Sequence, residues 1–252
     1  MAFSLKQRCT LLCMILCLLS AANYCYSQTY LSKATYFTTD DGMGNPSGAC
    51  GYGQYGKSVN GGQVFAASGR LYQNGAGCGA CYLVKCKEEG LCRDGGVKVM
   101  ATDSGEGPGT DFILSYRAYG KMAVPRMTSL LYSLGVVDVE YRRISCHQPT
   151  NLVIKIVEHS NYPWYLAILP LKQGGANDIL SLEVYEKASD TWTAMRRVYG
   201  AVFDFQNPPL GELKIRLSVN GSDGQKWVES DKAAIPKYWK AGITIKTDIQ
   251  LN

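Results

Sequence analysis

The sequence predicts a mainly β protein of two domains, a small disulfide-stapled barrel followed by a β-sandwich. Three observations carry that reading. Beyond residue 27 every cysteine (Cys50, Cys78, Cys81, Cys86, Cys92 and Cys146) falls before residue 149, together with 20 of the 27 glycines. All four tryptophans, Trp164, Trp192, Trp227 and Trp239, fall after it. Strand patterns recur along both parts, whereas helical spacing is clear in one stretch only. The composition break leaves parts of ~120 and ~105 residues, each long enough to bury a core of its own. His147-Gln148-Pro149-Thr150 reads as a short linker, so the domains are expected at residues 28–148 and 149–252.

Composition narrows the class further. Among 252 residues 46% are apolar and 19% charged, which excludes a disordered or fibrous chain. The net charge of +5 is mild and its cations are scattered, which argues against a nucleic-acid partner. Lys6 and Arg8 precede an apolar run, Cys9 to Ala22, of only ~14 residues. That is the layout of a secretory signal peptide rather than a membrane span. Cleavage after Ala22 would leave an orphan Cys25, whereas cleavage after Ser27 leaves six cysteines, and even parity favours Ser27. The chain from residue 28 is then secreted and oxidised, with no membrane partner.

The elements follow in order. In the first part, Val97–Thr102, Phe112–Ser115 and Val136–Ile144 read as strands between Gly-rich turns. Lys121–Leu134 carries apolar residues at Met122, Val124, Met127, Leu130, Leu131 and Leu134, which predicts a helix with Pro125 in its first turn. In the second part, Leu152–Glu158, Tyr165–Leu169, Leu182–Glu186, Trp192–Arg196, Glu212–Val219 and Ile243–Ile249 read as strands of a sandwich of about eight strands. Asn177-Asp178, Asn207-Pro208-Pro209 and Asn220-Gly221 mark turns.

Little conventional catalytic chemistry survives this inventory. Cys78-Gly79-Ala80-Cys81 is a C-x-x-C, but in an oxidised chain with no histidine nearby it reads as disulfide framework rather than a redox or zinc site. No metal or cofactor is expected. Asp103-Ser104-Gly105 lacks the histidine context of a serine protease, since His147 and His159 both follow it. The glycine repeats are turns rather than phosphate cradles. Asp40, Asp41, Asp103 and Asp111 remain, and a pair of them could hydrolyse a glycosidic bond. Each alone reads as a turn or capping aspartate. The second part also holds eleven aromatic residues, of which Tyr165, Tyr199 and Phe203 lie at strand ends or beside the Gly200 turn. Flat exposed rings of this kind stack on pyranose faces.

Several motifs together resemble plant expansins. They are Ala34-Thr35-Tyr36-Phe37, Gly48-Ala49-Cys50-Gly51-Tyr52-Gly53, Cys78-Gly79-Ala80-Cys81-Tyr82, Thr102-Asp103 and Tyr141-Arg142-Arg143-Ile144 in the first part. Asn220-Gly221-Ser222-Asp223-Gly224 and Ile235-Pro236-Lys237 follow in the second. The spelling is most similar to the expansin-like B branch, which is related to group-1 grass pollen allergens. The resemblance implies a six-stranded double-psi β-barrel like that of family 45 endoglucanases, joined to an immunoglobulin-like cellulose-binding sandwich. It also implies the pairs Cys50–Cys78, Cys81–Cys146 and Cys86–Cys92, where sequence alone left fifteen connectivities open.

The same resemblance implies a secreted cell-wall protein that binds cellulose, xyloglucan or another matrix glucan as a monomer, and loosens the wall without hydrolysis. The family's acidic aspartate falls at Ile113, which has no proton to give, while Asp111 stands in place of a histidine two residues earlier on the same strand face. Phe37 replaces a groove tyrosine, and Thr35 and Asp103 complete a vestigial groove. The aromatic platform maps to Tyr165 and Phe203 with Tyr36 from the first domain, and Tyr199 is a further candidate. Asn220-Gly221-Ser222 is an N-glycosylation sequon without proline. Two other readings remain open at this point: a wall-binding or defence lectin, and a weak glycoside hydrolase or lytic enzyme using Asp103 with Asp111.

Overall fold

The computed structural model describes residues 28–44, 48–107, 109–146 and 150–251. The leader expected at 1–27, with Cys25, lies outside them, as do His147, Gln148 and Pro149 of the expected linker.

The first half is a closed barrel of six strands: β1 (Tyr30–Tyr36), β2 (Val64–Ala67), β3 (Cys81–Cys86), β4 (Val97–Ser104), β5 (Phe112–Leu114) and β6 (Val137–Ile144). Their order around the barrel is β1-β5-β2-β4-β3-β6. Two pairs, β1 with β5 and β2 with β4, are parallel, and the rest are antiparallel. This is the closed double-psi architecture that the resemblance implies. A closed barrel needs a filled interior, and aromatic side chains supply it: Phe112 stands 4.9 Å from both Phe65 and Tyr141, ring centre to ring centre. Three disulfides, Cys50–Cys78, Cys81–Cys146 and Cys86–Cys92, staple the Gly-rich connections.

The expected helix over 121–134 is shorter. Helix begins only at Thr128 and runs to Leu134, while a separate short helix, Tyr116–Gly120, precedes it under a Ser115 cap. Two features break the stretch between them. Ala123 pairs with Cys92 as a β-bridge, and Arg126, just after Pro125, takes a positive φ of 73°. Of the apolar residues read as one face, Met122 and Leu131 are buried, but Met127, Leu130 and Leu134 are exposed.

The second half is a sandwich of nine described strands: β7 (Asn151–Ile156), β8 (Tyr165–Leu171), β9 (Asp178–Glu186), β10 (Thr191–Ala194), β11 (Arg196–Tyr199), β12 (Val202–Gln206), β13 (Lys214–Gly221), β14 (Gly224–Glu229) and β15 (Thr244–Gln250). One sheet has the order β10-β9-β13-β14, the other β11-β12-β8-β7-β15. The single strand expected over Trp192–Arg196 is thus two. The chain leaves one sheet after Ala194, buries Met195 in the core, and joins the other at Arg196.

The halves meet through backbone contact. Gly174 and Gly175 of the sandwich accept from Cys146 and Cys81 of the barrel, and Ala201 N–H donates to Cys50 O. Arg143 donates to Gly175 O at 2.6 Å and pairs with Asp178 at 2.8 Å. Gly75 and Gly200 face each other so closely that a Cβ on Gly75 would collide with the Gly200 carbonyl. Gln173, Arg197 and Tyr52 fill the seam: Gln173 donates to Cys78 O, and Arg197 donates to carbonyls on both sides, Gly75 and Gly200.

Candidate polysaccharide-binding site

Strand register places the barrel's candidate residues in one row. Asp103 lies opposite Ala66, Ala66 opposite Ile113, and Ile113 opposite Thr35, crossing β4, β2, β5 and β1. Asp103 is held open-handed: one carboxylate oxygen accepts from Ala49 N–H at 2.5 Å and Ser104 N–H at 2.8 Å. No cation is paired with it among the described residues. Ile113 packs so close to Gly105 that a Cβ there would lie 2.8 Å from its Cδ1. Thr35 donates its hydroxyl to Gly135 O at 2.9 Å, and the Phe37 ring packs directly on Gly44.

Asp111 does not stand in for the missing acid. Ser32 and Ser68 donate to it at 2.5 and 2.6 Å, and Arg70 pairs with it. Burial alone would raise its pKa, but these hydrogen bonds outweigh burial and hold the carboxyl below the ordinary carboxylate range. A proton donor to a leaving oxygen needs the opposite shift. Asp41, paired with Lys57, is likewise held low, to about 2. Asp111 is therefore a structural carboxylate that ties β1, β5 and the turn at Arg70 together.

On the sandwich the structure corrects the expected platform. Phe203 is only 1% exposed, because β12 turns it inward to pair with Ile168 and pack among Leu166, Ile168 and Met195. Val202 and Asp204 hold the outward positions instead. Tyr199, opposite Val202 beyond a bulge in β11, is 46% exposed. Tyr165 is half-buried, and its hydroxyl donates to Asp204 at 3.0 Å. Along β12, Tyr199 stands at the level of Val202, Arg196 at Asp204, and Tyr165 at Gln206, successive outward positions ~6.5–7 Å apart. Tyr199 also touches Gly51, on the loop whose Ala49 N–H reaches Asp103. A chain of neighbours thus runs from Tyr165 and Arg196, which share Asp204, through Tyr199 and Gly51 to the loop that bonds Asp103, a line of contacts crossing both halves.

Tyr36 is not on that line. Its ring lies among Tyr116, Tyr119 and Tyr132, and its hydroxyl donates to Tyr132 O at 3.1 Å. Three residues escaped the sequence reading. Arg196 and Asp204 carry no motif and become visible only once pairing is known. Trp164, 64% exposed beside Tyr165, had a signal in its position just before a strand.

The fold is that of a two-domain β protein, a closed six-stranded barrel followed by a two-sheet sandwich. Residues 152–236 match the Expansin C-terminal domain, and residues 64–141 match the double-psi barrel family described as lytic transglycolase. The chain is 53% identical to Expansin-like B1 of Arabidopsis thaliana over 90% of its own length and 91% of the relative's. It is 40% identical to Expansin-like B1 of Oryza sativa subsp. japonica, with 88% of each covered. The fold is also that of a Clavibacter michiganensis expansin, with a TM-score of 0.65 at 19% identity, covering 88% of this chain and 96% of that one. The chain belongs to the expansin family.

Proposed function

We propose that the protein is a secreted cell-wall component that binds cellulose or a matrix glucan along the line from Tyr165 to Asp103, and loosens the wall without cutting a covalent bond. The leader at 1–27 would be removed, leaving a monomer with domains at 28–148 and 149–252. The observation that carries the reading is an adjacency: the exposed ring of Tyr199 approaches Gly51, on the loop whose Ala49 N–H bonds Asp103, so sandwich and barrel candidates are neighbours. A related Clavibacter michiganensis expansin has been solved in complex with cellohexaose, which supports a glucan as ligand. Loosening would follow from competition, since a chain lying on Tyr165 and Tyr199 gives up its contacts to neighbouring chains.

Hydrolysis is disfavoured by the residues themselves. Ile113 holds the place of the acid, Asp111 is locked as an anion by Arg70, and Asp103 is left without a second carboxyl able to donate. The decisive experiment applies purified protein to heat-inactivated walls under load. Creep without release of reducing sugar is the expected result. Binding without creep would make the protein a lectin, and reducing sugar lost in Asp103→Asn would make it a hydrolase.

A further inference from the structure

The outward face of β11 and β12 holds one arrangement that stacking rings alone do not explain. Asp204 carries a side chain only 3% exposed, yet it sits on the outer side of the sheet. Arg196 grips it with two bonds, Nε to Oδ1 at 3.0 Å and Nη2 to Oδ2 at 2.6 Å, and Tyr165 donates its hydroxyl to the same Oδ2 at 3.0 Å. The Arg196 side chain nevertheless remains 67% exposed, and among the described residues its Nη1 has no partner. A buried carboxylate therefore fixes an exposed flat cation and a half-buried flat ring at adjacent levels of the same sheet.

We propose that Arg196 contacts the bound polysaccharide between Tyr165 and Tyr199, and that Asp204 is the positioning residue that presets Arg196 and Tyr165 for an uncharged glucan chain. The proposal rests on the functional reading above and names a specificity for it. A guanidinium held along its Nε–Nη2 edge by two bonds is planar and fixed in orientation, so it offers a further flat surface and three remaining N–H donors with little ordering left to lose. Its charge is already matched by Asp204, and Lys57 is matched by Asp41. Asp103, at the far end of the line, faces the ligand as an unpaired carboxylate. A uronate-bearing chain would meet Arg196 and Lys57 already paired with carboxylates and one repelling anion at Asp103, whereas a neutral chain is not opposed by that charge.

The test measures cellohexaose affinity by calorimetry and retention on cellulose for the mature protein, with an oligogalacturonate as the charged probe. Arg196→Ala should weaken cellohexaose binding about tenfold, with Arg196→Lys failing to restore it because an ammonium keeps the charge but loses the plane. Tyr165→Phe keeps the ring and removes only its tie to Asp204. It should weaken binding a few-fold, which covers the case where Asp204→Asn does not fold. Tyr165→Phe keeps the Arg196 pair and should leave Tm within the spread of exposed-site variants. Arg196→Ala leaves the buried Asp204 carboxylate with only the Tyr165 hydroxyl and should lower Tm, so its affinity is read well below its unfolding range. Tyr199→Ala serves as the reference for the underlying reading. If Tyr199→Ala loses binding while Arg196→Ala and Tyr165→Phe bind like wild type, the glucan reading stands and this inference is wrong. Full rescue by Arg196→Lys, or tighter binding of the oligogalacturonate than of cellohexaose at low salt, would also overturn it. If wild type holds neither cellohexaose nor cellulose, the functional reading itself fails.

Discussion

The guanidinium of Arg197 lies over the ring of Phe203, 4.3 Å from Cζ to ring centre, where the core of the second half meets the seam with the barrel. The two side chains are neighbours across β11 and β12, and Arg197 donates onward to the carbonyls of Gly200, Gly75 and Ile179. Burial lowers the pKa of Arg197, yet these carbonyls satisfy its donors without a carboxylate.

Phe203→Ala should therefore act on stability. Removing a fully buried ring opens a cavity and should cost ~3–5 kcal/mol. Tyr199→Ala, which removes an exposed ring, should cost less than ~1 kcal/mol and reduce retention on cellulose. Chemical denaturation and a cellulose depletion assay on both variants separate the roles. Loss of retention in Phe203→Ala with unchanged stability would contradict the buried placement.

Asp111 should give stability a pH dependence of predictable sign. Its folded carboxyl lies below its unfolded value of about 3.9, so its contribution is fully present above that value and disappears as pH falls through the folded one. Thermal unfolding from pH 7 downward should show wild type more stable than Asp111→Asn, with the gap closing below about pH 4. A gap independent of pH would mean that the carboxylate's charge contributes nothing.

Ile113→Asp should still release no reducing sugar from glucan. The new carboxyl would stand in a row whose only other acid, Asp103, is held by two backbone N–H donors. An assay of soluble reducing ends over long incubation checks this, and any cleavage by the variant would show that a single carboxyl was all the groove lacked.

Secreted material should contain three disulfides and no free thiol, all within residues 50–146. Peptide mapping before and after reduction reads this directly. A bridge to Cys25 would move the cleavage site upstream of Ser27. On the same material a glycosidase should shift the mass of peptides containing Asn220, which is exposed at the end of β13.

Much of the fold was legible because period and punctuation agree with burial. β6 alternates Val137, Val139 and Tyr141 inward, as its sequence reads, and all three are buried. Legibility failed where one residue changes the phase. The bulge between Arg197 and Tyr199 shifts register, so Tyr199 rather than Val198 comes opposite Val202, while Phe203 faces inward opposite Ile168. Met195 switches sheets within what reads as one strand, and Pro125 with Arg126 breaks what reads as one helix. The Arg196–Asp204 clamp had no sequence signal, because the two residues meet only through cross-strand pairing.

The meeting of Gly75 with Gly200 has a mechanical consequence. With no side chain between them and hydrogen bonds on both flanks, the two backbones are in direct contact, and on the proposed function this contact would resist hinging and make the line across the halves a straightedge. A polymer segment that is already straight can lie along the whole length, and the second half then engages it at high effective concentration once the first has bound. A kinked or heavily branched chain reaches one half at a time and keeps only the weaker grip of that half. Stiffness in the protein thus becomes a filter for stiffness in the polymer.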